Sequence, residues 1–178
     1  VSISLIIPVR NEEKQIARLA EDLNSLEYPS DLLEIIIVND HSTDDTWRSL
    51  SSLPQGKFNI RAINLPDSAS GKKAAISVGV TKATGELIVT TDADCTHEPL
   101  WLTAISDFYQ RTGARFIAAP VKMQVRRSLF SVFQVLDFLA LQGITGAATS
   151  RRLHCMCNGA NLAYSRNAFI EQRNLAIG

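Results

Sequence analysis

Two aspartates, Asp92 and Asp94, stand two positions apart directly after Glu86 to Thr91, a run with the length of a strand. In extended backbone, side chains two residues apart point to the same side. Two carboxylates held together repel each other unless a cation lies between them or one of them takes up a proton. Mg²⁺ and Mn²⁺ prefer oxygen ligands of this kind, and a bound diphosphate would complete the coordination shell. The pattern predicts a divalent-cation site, with a solvated turn as the alternative.

Three other strand-like runs are also followed by short polar clusters: Arg10-Asn11-Glu12, Asn39-Asp40 and Gly71-Lys72. Lys72 stands at a predicted helix start, where its ammonium group and free backbone amides can bind phosphate. The carboxylate of Asp40 can accept a hydrogen bond from the N–H of a base. The alternatives are an exposed basic helix start for Lys72 and helix capping for Asp40 and Asn11.

The elements that must position these side chains alternate between apolar strands and helices with a 3.6-residue period. This order is typical of an α/β fold with a mostly parallel, Rossmann-like sheet and helices on both faces. The predicted strands are Ser4–Val9, Leu33–Val38, Phe58–Leu65, Glu86–Thr91 and Arg115–Val121. Ligands of such sheets bind beyond the carboxyl ends of the strands, where all four polar clusters fall.

Helix boundaries follow from capping residues and from proline and glycine. Asn11 is the predicted N-cap of the first helix, and Ser42 or Thr43 that of the second. Two further helices are predicted from Gly71 to Lys82 and from Pro99 to Phe108.

The composition limits the kinds of ligand. The 178 residues are 46% hydrophobic and 20% charged, as in an ordinary globular domain. Because 18 lysines and arginines balance 18 aspartates and glutamates, we expect no nucleic-acid partner. Three cysteines are too few and too oddly placed for a disulfide framework. Cys155 and Cys157 beside His154 could suggest zinc, but the second half of a tetrahedral site is missing. Pro66 and Lys73 stand where a P-loop needs glycine and a hydroxyl residue, so that motif is absent.

The segment 128–150 is almost wholly apolar and is bracketed by Arg126-Arg127 and Arg151-Arg152. Gln134, Asp137 and Gln142 argue against a membrane span. Two interpretations remain: a helix of the core, or a helix that lies in the headgroup region of a membrane.

Taken together, the motifs resemble glycosyltransferase family 2, the inverting family with the GT-A fold. The stretch Val38–Asp44 is similar to the family's V-D-D-G-S-T-D motif, and Gly71–Gly79 is similar to G-K-x-x-A-L-N-x-G. The remaining matches are Ile7–Glu13 with the opening motif, Asp92–Asp94 with D-x-D, and Cys157–Tyr164 with the G-A-N segment. Asn39, His41 and Ser77 depart from the family's pattern.

The resemblance implies transfer of a sugar from a nucleotide-diphosphate donor, with UDP as the expected nucleotide, to a hydroxyl group of a saccharide or lipid-linked acceptor. It implies a Mg²⁺ or Mn²⁺ ion held by Asp94, with Asp92 nearer the ribose or sugar. The implied nucleotide-binding residues are Pro8, Val9, Arg10, Glu12, Asp40, Lys72, Asp92 and Asp94, and the implied acceptor region is Asn158, Gly159, Ala160 and Asn161.

The resemblance also implies how the chain is organised. The family's catalytic base lies in an acidic motif after the G-A-N segment, so we expect the base beyond Gly178. We expect residues 1–178 to form one GT-A-type domain, with a nucleotide-binding half over 1–95 and the start of an acceptor half over 96–178. The fragment itself would be soluble and would bind nucleotide without transferring sugar. The full-length protein would work in cell-wall or polysaccharide synthesis at the cytoplasmic side of a membrane.

Two rival functions remain open. A sugar-phosphate nucleotidyltransferase uses a related sheet, although Pro8-Val9-Arg10-Asn11 lacks the glycine-rich loop expected there. A non-catalytic nucleotide-sugar-binding scaffold in a membrane complex is the second rival.

Overall fold

A computed structural model describes residues 1–54, 56–122, 129–150 and 159–175. One six-stranded sheet runs through them in the order β3-β2-β1-β4-β6-β5. The strands are β1 Ile3–Val9, β2 Leu33–Asn39, β3 Asn59–Asn64, β4 Leu87–Thr91, β5 Phe116–Ala118 and β6 Asn161–Ser165. β1 pairs in parallel with β2 and β4, and β2 with β3, whereas β6 runs antiparallel to β4 and β5. The predicted α/β class and mostly parallel sheet are therefore confirmed.

Helices cover both faces of the sheet because the central strands are apolar on both sides. The helices are α1 Ile16–Ser25, α2 Thr46–Ser51, α3 Lys72–Lys82, α4 Trp101–Thr112, α5 Leu129–Ser150 and α6 Arg166–Leu175, and a short 3₁₀ turn spans Ser30–Leu32. α1 and α4 pack on one face against Leu5 and Ile7, and α3 packs on the other face against Ile6. An added Cβ at Gly79 of α3 would lie 2.6 Å from Ile6 Cγ2, so only glycine allows this close approach.

The predicted N-cap role of Asn11 is wrong. α1 begins at Ile16, and Asn11 has a left-handed backbone with φ of 55°. Its side-chain oxygen accepts a hydrogen bond from the Thr43 amide at 2.8 Å, and its own amide donates to Ser42 Oγ at 3.0 Å. Asn11 therefore joins the loops that follow β1 and β2, and this long-range pairing replaces a local cap.

The predicted caps of α2 are also wrong, because Ser42 and Thr43 are used by Asn11 and the helix begins at Thr46. The Thr46 hydroxyl accepts a hydrogen bond from the Glu12 amide at 2.8 Å. The Asp45 amide donates to Glu13 Oε2 at 3.1 Å. Hydrogen bonds between the two loops therefore set where this helix starts.

The antiparallel strand β6 was not predicted, and β5 is shorter than the predicted Arg115–Val121. Pro120 lacks an N–H group and so cannot continue the ladder. Beyond it, both backbone groups of Val121 are bound by the side-chain amide of Gln142 in α5, each at 2.8 Å. This contact gives one of the polar residues of α5 a structural role.

A partly buried hydrogen-bond network lies at the end of the sheet opposite the polar clusters. Glu34 Oε1 accepts hydrogen bonds from the Ser4 hydroxyl and the Thr84 amide, both at 2.6 Å, and from the Thr84 hydroxyl at 2.8 Å. Burial raises the pKa of Glu34, but the hydrogen bonds from Ser4 and Thr84 outweigh it, so the pKa lies below its usual value. The network ties the start of β2 to β1 and to the chain before β4.

The helix α5 does not form core in this structure, so the first interpretation of 128–150 is wrong for the described residues. None of its described side chains, from 133 to 147, is buried. Five of its large apolar side chains are more than half exposed; they are Phe133, Leu136, Leu139, Leu141 and Ile144. Among the helices that the structure describes, none has the length and apolar character needed to cross a membrane.

Candidate functional site

A pocket of about 420 Å³ lies at the carboxyl ends of β1, β2 and β4. Its lining contains all eight residues predicted to bind nucleotide, together with Gly71 and Ala93. The eight are Pro8, Val9, Arg10, Glu12, Asp40, Lys72, Asp92 and Asp94. Loops far apart in the sequence thus meet in one cleft, as expected for the edge of a parallel sheet.

Asp40 is the buried centre of this pocket, with 4% of its surface exposed. Its Oδ2 accepts a hydrogen bond from the Gly71 amide at 3.0 Å and lies 3.4 Å from the Arg10 guanidinium. Its Oδ1 lies 3.0 Å from Nδ1 of His41. Burial raises the pKa of Asp40, but the hydrogen bonds from His41 and Gly71 and the charge of Arg10 outweigh it and lower the pKa. The capping role considered for Asp40 is not observed, because its side-chain partners are Arg10, His41 and Gly71 rather than backbone amides of α2.

Lys72 is paired with an aspartate across the pocket. Its Nζ lies 2.5 Å from Oδ1 of Asp92, and the Lys72 side chain is about half exposed. The ammonium group therefore relieves part of the repulsion that the sequence predicts between Asp92 and Asp94.

The pocket carries more negative than positive groups, with four carboxylates against Arg10 and Lys72. Burial, followed by the charges of Asp94, Asp44 and Asp92, raises the pKa of Glu12. Within the described residues, no group of three or more histidine, cysteine, aspartate or glutamate side chains could hold a metal ion by itself. The donor set fits a hard divalent cation that takes some of its ligands from a bound diphosphate.

The segment predicted for the acceptor borders the same pocket, although Asn158 lies outside the described residues. A Cβ added to Gly159 would lie 3.7 Å from Nζ of Lys72, and Ala160 is buried. Asn161 has both ends of its amide engaged: Oδ1 accepts from Trp101 Nε1 at 3.1 Å, and Nδ2 donates to the Pro120 carbonyl at 3.0 Å.

The structure shows the surroundings of two residues that depart from the family motif. His41 stands where the motif has glycine, and its backbone has a φ of 53°, a conformation that glycine adopts without strain. Asn39 stands where the motif has aspartate, and its amide donates to Asn64 Oδ1 at 2.8 Å on the neighbouring strand.

The sequence shows no partner for His97 at the spacing of a metal site or a catalytic triad. In the structure its Nδ1 lies 2.6 Å from Asp22 of α1, and its ring stacks on Trp101 with centroids 4.0 Å apart. Asp22 precedes His97 by 75 positions, so no local spacing could reveal the pair.

The sheet order, the covered faces and the pocket at the strand ends define a GT-A fold. The family model described as Glycosyl transferase family 2 matches residues 4–172. The chain therefore belongs to glycosyl transferase family 2, and the resemblance seen in its motifs is confirmed.

Individual relatives are similar over part of their length. The chain is 34% identical over 100 residues to the probable glycosyltransferase YdaM of Bacillus subtilis, covering 55% of this chain and 24% of that protein. It is 32% identical over 110 residues to the beta-monoglucosyldiacylglycerol synthase of Nostoc, covering 61% and 24%. The chain thus spans about a quarter of the length of these relatives.

Solved structures share the fold. Staphylococcus aureus TarS, in complex with UDP-GlcNAc, superposes with a TM-score of 0.61 at 25% identity, covering 72% of this chain and 36% of that one. The Pyrobaculum calidifontis mannosyltransferase PcManGT, in complex with GDP-Man and Mn²⁺, has a TM-score of 0.67 at 21% identity, covering 96% and 46%.

Proposed function

We propose that this chain binds the nucleotide-diphosphate sugar donor of an inverting glycosyltransferase, together with Mg²⁺ or Mn²⁺. The observation that carries the proposal is the single pocket in which loops after β1, β2 and β4 meet the start of α3. An acceptor hydroxyl group would displace the diphosphate at the anomeric carbon, with a base beyond Gly178 taking the proton. The division into a nucleotide-binding half, 1–95, and the start of an acceptor half, 96–178, is part of this proposal.

The excess of negative charge in the pocket supports binding of the donor together with a cation. A diphosphate would be repelled by the excess of carboxylates unless a divalent cation bound with it. When bound, that cation would neutralise the negative charge of the leaving diphosphate. Asp94 would ligate it, and Asp92, held by Lys72, would lie nearer the ribose or sugar.

The nucleoside would lie against Asp40 and the loop from Pro8 to Glu12. Oδ2 of Asp40 already accepts from Arg10 and from the Gly71 amide, whereas Oδ1 has only the contact with His41. Oδ1 therefore keeps a lone pair that can accept an N–H group from a base. Of the solved structures that share the fold, TarS is in complex with UDP-GlcNAc and PcManGT with GDP-Man. UDP is our preferred nucleotide, and the acceptor would be a saccharide or a lipid-linked hydroxyl group near 159–161.

Calorimetry with UDP and with GDP, each with and without Mn²⁺, tests the proposal. We expect one of the two nucleotides to bind, and Mn²⁺ to lower its Kd by at least about 10-fold, since the cation offsets the carboxylates. Absence of binding by both nucleotides would contradict the proposal. In a separate incubation of the chain with UDP-sugar or GDP-sugar and Mn²⁺, release of sugar would contradict the expectation that this chain alone is inactive.

The exposed apolar side chains of α5 support a further part of the proposal, that segment 128–150 lies against a membrane surface. Two arginines precede and two follow it in the sequence, and their positive charge favours an anionic surface. We expect the chain to sediment with anionic phospholipid vesicles. Replacement of Leu136 and Ile144 by serine should weaken that binding roughly 10-fold or more, through lost apolar burial. Equal sedimentation of the two proteins would argue against the membrane contact.

A further inference from the structure

The loop that carries Asp92 and Asp94 is held in place from outside the pocket. Within the loop, the Cys95 amide donates to the Asp92 carbonyl at 3.2 Å and closes a turn. From α1, the Arg18 guanidinium donates to the carbonyl of Asp94 at 2.7 Å. One of the two predicted metal ligands is thus anchored through its own backbone.

A second attachment closes the loop at its far end. Asp22, one turn after Arg18 in α1, accepts the His97 amide at 3.0 Å on Oδ1 and contacts Nδ1 at 2.6 Å on Oδ2. The Nε2 atom of the same ring lies 2.8 Å from the hydroxyl of Thr91, the last residue of β4. His97 therefore bridges α1 to the residue just before Asp92, across the base of the loop.

The protonation of this bridge follows from its partners. A carboxylate can only accept hydrogen bonds, so Nδ1 of His97 must carry a proton. In a neutral ring Nε2 is then an acceptor, and the Thr91 hydroxyl donates to it. The side chains of His97 and Asp22 are 6% and 11% exposed, so water competes little for these bonds.

The bridge continues toward the acceptor segment. The ring of His97 stacks on Trp101, whose indole N–H donates to Asn161 Oδ1 at 3.1 Å in β6. A continuous set of contacts thus runs from α1, under the Asp92–Asp94 loop, to the segment after Gly159. We name Asp22, His97, Trp101 and Asn161 the brace.

We propose that Asp22 and His97 are positioning residues that hold the Asp92–Asp94 loop in the geometry needed for the cation and the diphosphate. Neither residue lines the pocket, so they act through the loop rather than by touching the ligand. This inference rests on the proposed function, because it presumes that the loop binds a cation-bound diphosphate. Residues behind metal ligands commonly tune affinity in this way.

The experiment measures the Mn²⁺ gain, defined as the Kd for UDP (or GDP, if that nucleotide binds) without Mn²⁺ divided by the Kd with it. We expect Asp22→Ala and His97→Ala each to lower the gain about 10-fold while the Kd without Mn²⁺ changes little. His97→Asn, whose amide N–H can replace that of Nδ1, should recover part of the gain. If the alanine variants do not fold, Asp22→Asn replaces them in the test, and we expect it to lower the Mn²⁺ gain roughly threefold.

The control for a merely structural role is Glu34→Ala, which should destabilise the protein from the opposite end of the sheet. It should lower the thermal midpoint yet keep the wild-type gain. If the Asp22 and His97 variants also lose thermal stability but keep the wild-type gain, the inference is wrong and the proposed function stands. A wild-type gain in a folded Asp22→Asn variant would also overturn it. Absence of any Mn²⁺ gain in the wild type would overturn the metal-dependent function and the inference together.

Discussion

Replacing Asp94 by alanine should abolish most of the Mn²⁺-dependent part of nucleotide binding. The Kd measured with Mn²⁺ should rise on the order of 10- to 100-fold. The expectation follows from the charge of the pocket, where Asp92 is already paired with Lys72 and Asp94 has no such cationic side chain at hydrogen-bond distance among the described contacts. Asp94 is therefore the carboxylate most available to a cation. Calorimetry with and without Mn²⁺ measures the effect.

The matched control is Asp107→Ala, which removes an exposed aspartate of α4 outside the pocket lining. It should leave both Kd values unchanged. If Asp94→Ala kept the wild-type affinity and the wild-type dependence on Mn²⁺, the donor site would not be metal-dependent at Asp94. That result would favour the non-catalytic scaffold.

Replacing Asp40 by alanine should weaken nucleotide binding about equally with and without Mn²⁺, by roughly 10-fold or more. The reason is that Asp40 fixes Arg10 and the Gly71 amide around the pocket and offers acceptors to the base, whereas the cation would lie at Asp94. The contrast with Asp94→Ala, which acts on the Mn²⁺-dependent part, is the measurable signature. A loss confined to the samples with Mn²⁺ would contradict this role for Asp40.

The same residue should give stability a dependence on pH. The pKa of Asp40 in the folded protein lies below the ordinary value of 3.8, so its ionised form stabilises the fold above that pH. That contribution is lost as the pH falls from 3.8 through the folded pKa. Asp40→Asn should therefore lower the free energy of unfolding by about 1–3 kcal/mol at neutral pH, and the difference should shrink at acidic pH.

Urea unfolding of the wild type and Asp40→Asn at neutral pH and below 3.8 measures this difference. Asp107→Asn is the control, since its exposed side chain should have no such effect. A difference between wild type and Asp40→Asn that stayed constant with pH would show that the lost stability does not come from the ionised carboxylate.

The amino-acid sequence alone determined the α/β class, the mostly parallel sheet and the residues that lie together at its carboxyl edge. Apolar periodicity is a local property, and the rule that parallel strands present their carboxyl ends together turns it into a prediction about the site. Residues as far apart as Arg10, Asp40 and Asp94 could be assigned to one cleft in this way, and the structure brings them together.

Only the tertiary structure decided how those residues are held. Asn11 has the residue type of an N-cap, a role worth about 1 kcal/mol, but several hydrogen bonds to the loop after β2 compete with that preference. The pairs Lys72–Asp92 and Asp22–His97 join positions 20 and 75 residues apart, and the reversed strand β6 pairs with β4 from far along the chain. Residue type and local spacing carry no information about such partners, because the chain must first fold to bring them within hydrogen-bond distance.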